Sequence, residues 1–116
     1  MKKSAIFIAR TAAKALEEKK AEDVVLLKMP RRVSLFNYFV IATASSRVHS
    51  QALARSVLEE MKKQKIKCLN QHGYESGAWI LLDFGRVVVH IFLPRFREFY
   101  DLEGFWLSAK RVNISE

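Results

Sequence analysis

Apolar residues recur at three- and four-residue spacing through Ile8, Ala9, Ala12, Ala13 and Leu16. One buried helical stripe has this spacing, so the pattern predicts a helix from about Ser4 to Lys20. Ser4 can cap its start, and Lys19 and Lys20 suit the negative end of the helix dipole. Val24 to Met29 reads as a strand ended by Pro30. After the basic loop Arg31-Arg32-Val33-Ser34, Phe36 to Thr43 is apolar at nearly every position. That is the mark of a central strand covered on both faces. Ser45 or Ser46 then caps a long helix reaching about Lys65, with Val48, Ala52, Leu53, Val57 and Met61 as its stripe. Ile66 to Asn70 reads as a weaker strand, and His72 to Gly77 as a turn region.

Trp79 to Phe92 is the strongest signal, two strands joined at Phe84-Gly85. A two-residue turn there sets Asp83 opposite Arg86, Leu81 opposite Val88 and Trp79 opposite His90. The other face then holds Ile80, Leu82, Val87, Val89 and Ile91, all apolar. A three-residue loop would mix Arg86 into that core face, so the two-residue register is preferred. Arg95 to Trp106 closes the chain with a short helix, broken at Gly104. Five strands with helices between them predict an α/β fold, a mixed sheet with flanking helices. No linker or repeat divides the chain, so residues 1–116 read as one domain, with an ordered core of about 4–108.

Composition narrows the function. At 116 residues and 50% apolar content, the chain can bury a core and is excluded from the disordered class. Twenty Lys and Arg against twelve Asp and Glu give a net charge of +8. The excess is +5 over residues 1–35, +3 over 36–75 and zero over 76–116. A single cysteine, Cys68, excludes an intrachain disulfide and fits a reducing compartment. No stretch approaches the roughly 18 uninterrupted apolar residues of a membrane span, so the expectation is a cytoplasmic protein with no membrane partner.

Catalytic chemistry finds little support. Cys68 and His72 lack a second close pair to complete a zinc site, so no metal and no cofactor is expected. Thr43-Ala44-Ser45-Ser46 could offer hydroxyls and amides to a phosphate, but helix capping explains it more simply, and no P-loop pattern accompanies it. Two-metal nucleotidyl transfer needs clustered carboxylates, and the predicted strands offer only Asp83, which faces Arg86 in the preferred register. Arg31-Arg32 and Lys62-Lys63-Gln64-Lys65 could touch RNA phosphates, without an accompanying aromatic RNA-binding motif. The outer hairpin face, with Trp79, Leu81 and Val88 among Asp83, Arg86 and His90, suits a protein interface. The alternative is a closing helix that covers it through Phe99, Leu102 and Trp106, and the sequence leaves both open.

Three long segments carry a resemblance. Asn37-Tyr38-Phe39-Val40-Ile41-Ala42-Thr43-Ala44-Ser45-Ser46 resembles the "DYFVIATGxS" stretch of the ribosomal silencing factor family, RsfS, also called Iojap. Residues 77–92 resemble its "WxLLDYGDVVVHIF" block, and 97–106 its "RxFYxLExLW" ending. The resemblance implies a nucleotidyltransferase-like fold without the catalytic carboxylates. It implies a non-enzymatic factor that binds the large ribosomal subunit through that subunit's ribosomal protein fourteen. Such a factor obstructs joining of the small subunit and represses translation. Carried over by motif, the partner-binding residues are Trp79, Leu81, Asp83, His90, Arg97, Tyr100, Glu103 and Trp106. Asn37, His72 and Arg86 stand where the family pattern is acidic, so the contact with a basic ribosomal protein is expected to be altered. The positive charge makes peripheral ribosomal RNA contact a companion expectation, and an exposed hairpin face allows a homodimer off the ribosome. The competing reading is a small RNA-binding protein on the same scaffold.

Overall fold

The computed structural model describes residues 3–31, 35–101 and 110–115, excepting the side chains of Phe99 and Tyr100. Helix α1 spans Ala5–Glu18, and the Ser4 hydroxyl accepts from the Phe7 amide at 3.2 Å, as its capping position requires. Its buried stripe is Ile8, Ala9, Ala12, Ala13, Ala15 and Leu16. Helix α2 spans Arg47–Lys63, capped by the Ser46 hydroxyl on the His49 amide at 3.1 Å.

Both helices end in the same way. The Ala21 amide donates to the Leu16 carbonyl and the Lys20 amide to the Glu17 carbonyl. Ile66 and Lys65 make the corresponding bonds to Met61 and Lys62. These are Schellman ends, in which the residue after the cap turns left-handed. A lysine occupies that place each time, Lys20 at φ 68° and Lys65 at φ 59°.

The strands are β1 (Glu22–Lys28), β2 (Tyr38–Thr43), β3 (Asn70–His72), β4 (Trp79–Asp83), β5 (Val87–Phe92) and β6 (Lys110–Arg111). They form one mixed sheet in the order β3-β4-β5-β2-β1-β6. Among the described strands only β2 and β5 run parallel, joined through the α2 crossover. A bulge interrupts β1 between Glu22 and Val25, and Asp23 there has φ 48°. Helix α3 spans Pro94–Tyr100, with proline in its first turn, where the missing amide costs nothing.

Alternation divides the sheet into two faces. Leu26, Val40, Ala42, Ile80, Leu82, Val87, Val89 and Ile91 join the stripes of α1 and α2 in one buried cluster. Val25, Leu27, Phe39, Ile41, Val88 and Phe92 form a second cluster on the other face, with Trp79 and Leu81 packed against it. Strand β2 is therefore covered on both faces, as its unbroken apolar run predicts.

Several expectations need correction. Val48, expected in the buried stripe of α2, is 73% exposed. The hairpin turns at Gly85-Arg86, not Phe84-Gly85: the Phe84 amide donates to the Val87 carbonyl at 2.9 Å. Gly85, at φ 90°, takes the first turn position, which needs a left-handed residue in a type II′ turn. Asp83 therefore faces Val88, Leu81 faces His90 and Trp79 faces Phe92. The slip is two residues, so every side chain keeps its predicted face and only the partners change. The Asp83–Arg86 cross-strand pairing is lost with it. The strand expected at Ile66–Asn70 lies at Asn70–His72, because Lys65 and Ile66 complete the end of α2. The described residues form six strands, because Lys110–Arg111 adds a short, polar edge to β1. The closing helix stops at Tyr100, where Asp101 turns left-handed at φ 40°; its expected continuation to Trp106 and break at Gly104 lie outside the described residues.

Candidate functional site on the outer hairpin face

The face turned away from α1 and α2 carries Trp79, Leu81 and Asp83 from β4 beside Val88, His90 and Phe92 from β5. Period-two alternation puts them there, and the parallel pairing of β5 with β2 brings Phe39 alongside. Trp79 stacks on Phe92 with centroids 5.0 Å apart, and Phe39 meets the His90 ring edge-on at 4.6 Å. Phe36 lies 4.9 Å from Phe39 and extends the aromatic surface. A groove of about 490 Å³ opens here, with buried Phe39, Val88 and His90 at its base and Leu35, Phe36, Leu81 and Asp83 around it. Leu35 is 76% exposed at its rim.

His90 is the chemical centre of the groove. The Trp79 indole N–H donates to its Nδ1 at 3.1 Å. An indole nitrogen can only donate, so Nδ1 is the acceptor and the neutral ring carries its proton on Nε2. That Nε2–H is buried with no hydrogen-bond partner among the described residues. Burial pushes the His90 pKa down to about 4, so the ring is neutral at physiological pH. Asp83 is half-buried, and its Oδ1 accepts from the Gly85 amide at 2.8 Å, which shapes the turn.

The other sequence candidates fall in different places. The Arg97 Nη1 donates to the Asp23 carbonyl at 2.6 Å and the Thr43 hydroxyl at 2.8 Å, tying α3 to the β1 bulge and the end of β2. The Tyr100 side chain, Glu103 and Trp106 lie outside the described residues, as do the side chains of Phe99 and Leu102. The hydroxyl cluster after β2 is taken up by capping: Ser46 holds α2, and the Ser45 amide donates to the His49 Nδ1 at 3.0 Å. Cys68 is half-buried and bonds the Asn70 carbonyl at 3.2 Å, and burial raises its thiol pKa. Among the described residues no three His, Cys, Asp or Glu side chains meet in a metal-binding group, and no helix is long and apolar enough to cross a membrane.

Leu35, Phe36 and Phe39 were not among the sequence candidates. Because β2 is apolar at almost every position, alternation could not say which side Phe39 takes. Leu35 and Phe36 read only as the approach to that strand.

Comparison with known proteins places the chain as a whole. The family model described as "Ribosomal silencing factor during starvation" matches residues 2–116. The chain belongs to the RsfS family. A ribosomal silencing factor RsfS of Chromobacterium violaceum is 39% identical over 103 residues, covering 89% of this chain and 84% of that protein. A mouse protein named for mitochondrial assembly of the ribosomal large subunit is 30% identical over 94 residues, covering 78% of this chain and 41% of its own length. A crystal structure of a Chromobacterium violaceum protein superposes with a TM-score of 0.87 at 34% identity, covering 98% of this chain and 94% of that one. The fold reading of an RsfS-like α/β domain with a mixed sheet thus stands on both sequence and structure.

Proposed function

We propose that this RsfS-family chain docks on the large ribosomal subunit through the outer face of its β4–β5 hairpin. Its contact there is the subunit's ribosomal protein fourteen, and its bulk keeps the small subunit from joining. The observation that carries this reading is the hairpin groove: an apolar, aromatic-based depression with the His90 ring at its base and one carboxylate, Asp83, at its side. Aromatic residues beneath a polar edge are the composition of a protein interface core. The name of the mouse relative, with its large-subunit assembly, supports the choice of subunit.

The mechanism is steric and involves no bond making, so the protein acts as a binding factor and not as an enzyme. Occlusion requires affinity and volume. The chain measures 34 × 33 × 26 Å, large enough to obstruct an intersubunit contact. Off the ribosome the same apolar groove is the surface through which two copies would pair. The competing account, a small RNA-binding protein on this scaffold, finds no clustered stacking platform among the described residues: the exposed aromatics Phe7 and Phe96 stand on different helices.

The test is association of purified small and large subunits followed by light scattering. Preincubating the large subunit with the protein should lower the association amplitude, and preincubating the small subunit should not. Asp83→Asn, which can keep the turn bond to Gly85 while removing the charge, should weaken the effect. An undiminished association amplitude with saturating protein would refute the proposal.

A further inference from the structure

Two concavities lie side by side at the tip of the hairpin, and Arg86 lines both. The first, about 620 Å³, opens between the first turn of α1 and the adjoining ends of β1 and β2, and carries Lys28 and Arg31. The second, about 720 Å³, opens between the start of α1 and the end of α2, and carries Lys3, Lys63, Lys65 and Lys67. All these cations are exposed. Neither concavity has an Asp or Glu in its lining. Among the described residues the one ion pair here is Lys63 with Glu60 at 3.6 Å, between exposed side chains where such pairs contribute little.

The backbone concentrates this charge. The left-handed Lys65 ends α2 and turns the chain so that Lys65 and Lys67 follow Lys63 around one rim. The N-terminal end of α1 stands between the two concavities, with Ser4 lining one and Lys3 the other. The first turn of α1 has no acidic residue, so its positive dipole end adds to the lysines. Like charges gathered without a counter-charge raise the local potential and favour an anionic partner.

The composition of the belt selects among anions. Lysine is depleted in protein–protein interfaces, whose affinity rests on buried aromatic and arginine anchors. Here the lining aromatics, Tyr38 and Phe84, are half-buried and buried. Lysine, arginine and a helix N-terminus are the groups that contact phosphates in nucleic-acid complexes. The exposed aromatic beside the belt, Phe7, already holds the Lys3 ammonium 5.3 Å from its ring centroid, a contact that competes with base stacking and disfavours single-strand reading. The family's ribosomal setting makes RNA the polyanion at hand. We infer that this belt binds the phosphodiester backbone of double-stranded RNA, without reading its sequence. The belt and the hairpin groove meet at the Gly85-Arg86 turn, so a partner held in the groove leaves the belt free for RNA beside it.

The test is fluorescence anisotropy with a labelled RNA duplex of arbitrary sequence and no ribosomal protein present, so its outcome is separate from that of the subunit-joining assay. Affinity should fall steeply with salt, by a log–log slope of about 0.9 per phosphate contacted. The double variant Lys67→Glu with Arg86→Glu should weaken binding by roughly tenfold or more and flatten the slope by about 2. Lys14→Glu with Lys19→Glu changes the net charge equally, on the body and far end of α1 and outside both concavities; it should cost less than about threefold. The pair Lys67→Gln with Arg86→Gln gives the same reading if the glutamates disturb folding, which circular dichroism would reveal. No binding by the unmodified protein, equal losses in both double variants, or polyglutamate binding as tightly as the duplex would each overturn the inference.

Discussion

Acid should destabilise this protein beyond what its carboxylates require, and His90 sets the amount. Its ring is buried beneath Phe39, Trp79 and Phe92, and burial lowers its pKa from 6.5 to about 4. The unfolded chain therefore binds more protons than the folded one between those two values. His90 costs the fold nothing above pH 6.5; stability falls as pH drops toward 4, and below that the loss levels off. At about 1.4 kcal/mol per pH unit the full penalty is about 3 kcal/mol, of which about 2 kcal/mol appears between pH 7 and pH 5. Against a total stability of about 5–15 kcal/mol this is a large fraction. Asp83, which lines the same groove, is the nearby carboxylate that could soften the penalty. The perturbation is His90→Asn, which can keep an acceptor near the Nδ1 position for the Trp79 indole but cannot titrate. Its smaller volume lowers stability by a constant amount, so the comparison rests on slopes. Urea unfolding followed by circular dichroism at pH 7 and pH 5 should show the unmodified protein losing about 2 kcal/mol more than the variant. Parallel losses, within about 0.5 kcal/mol, would refute the reasoning.

Other substitutions probe the frame around the site. Lys20→Gly should raise stability by about 0.5–1 kcal/mol in urea unfolding, because it relieves a left-handed lysine at the end of α1. Gly73→Ala should lower the melting temperature sharply, at a cost of roughly 2–3 kcal/mol: Gly73 has φ 80°, and an added Cβ would lie 2.0 Å from the Trp79 carbonyl oxygen. Arg97→Met should cost about 1–3 kcal/mol in chemical unfolding, because it removes bonds from α3 to the Asp23 carbonyl and the Thr43 hydroxyl.

The predicted site was most legible where alternation was cleanest. Between Trp79 and Phe92 one face is wholly apolar, so the grouping of Trp79, Leu81, Asp83 and His90 survived even though the turn slipped by two residues. The slip itself was invisible to hydrophobic pattern, because both registers bury the same side chains; only the left-handed demand at Gly85 separates them. Strand β2 shows the opposite limit. Its position at the centre of the sheet followed from its apolar run, but that run hides which face Phe39 takes. Strands β3 and β6 are short and exposed, formed by pairing to an edge and not by burial, so no hydrophobic signal marks them. Arg97 resembled a surface contact by motif, whereas its bonds to residues 74 and 54 positions away arise only in the folded chain. The basic belt was half legible: Lys63 and Lys65 stand in a visible run, but the meeting of Lys28, Lys3 and Arg86 with them depends on tertiary structure.

The central claim is that the outer hairpin face holds the large subunit. Co-sedimentation of the purified protein with isolated large and small subunits, at moderate salt, tests it most directly when run beside Leu81→Arg. Leu81 is half-buried at the side of the groove, opposite His90, so an arginine there obstructs docking while leaving the face packed on α1 and α2 untouched. The account predicts pelleting with the large subunit alone and its loss in a folded Leu81→Arg variant. Equal pelleting with both subunits, or unchanged pelleting of that variant, would contradict it.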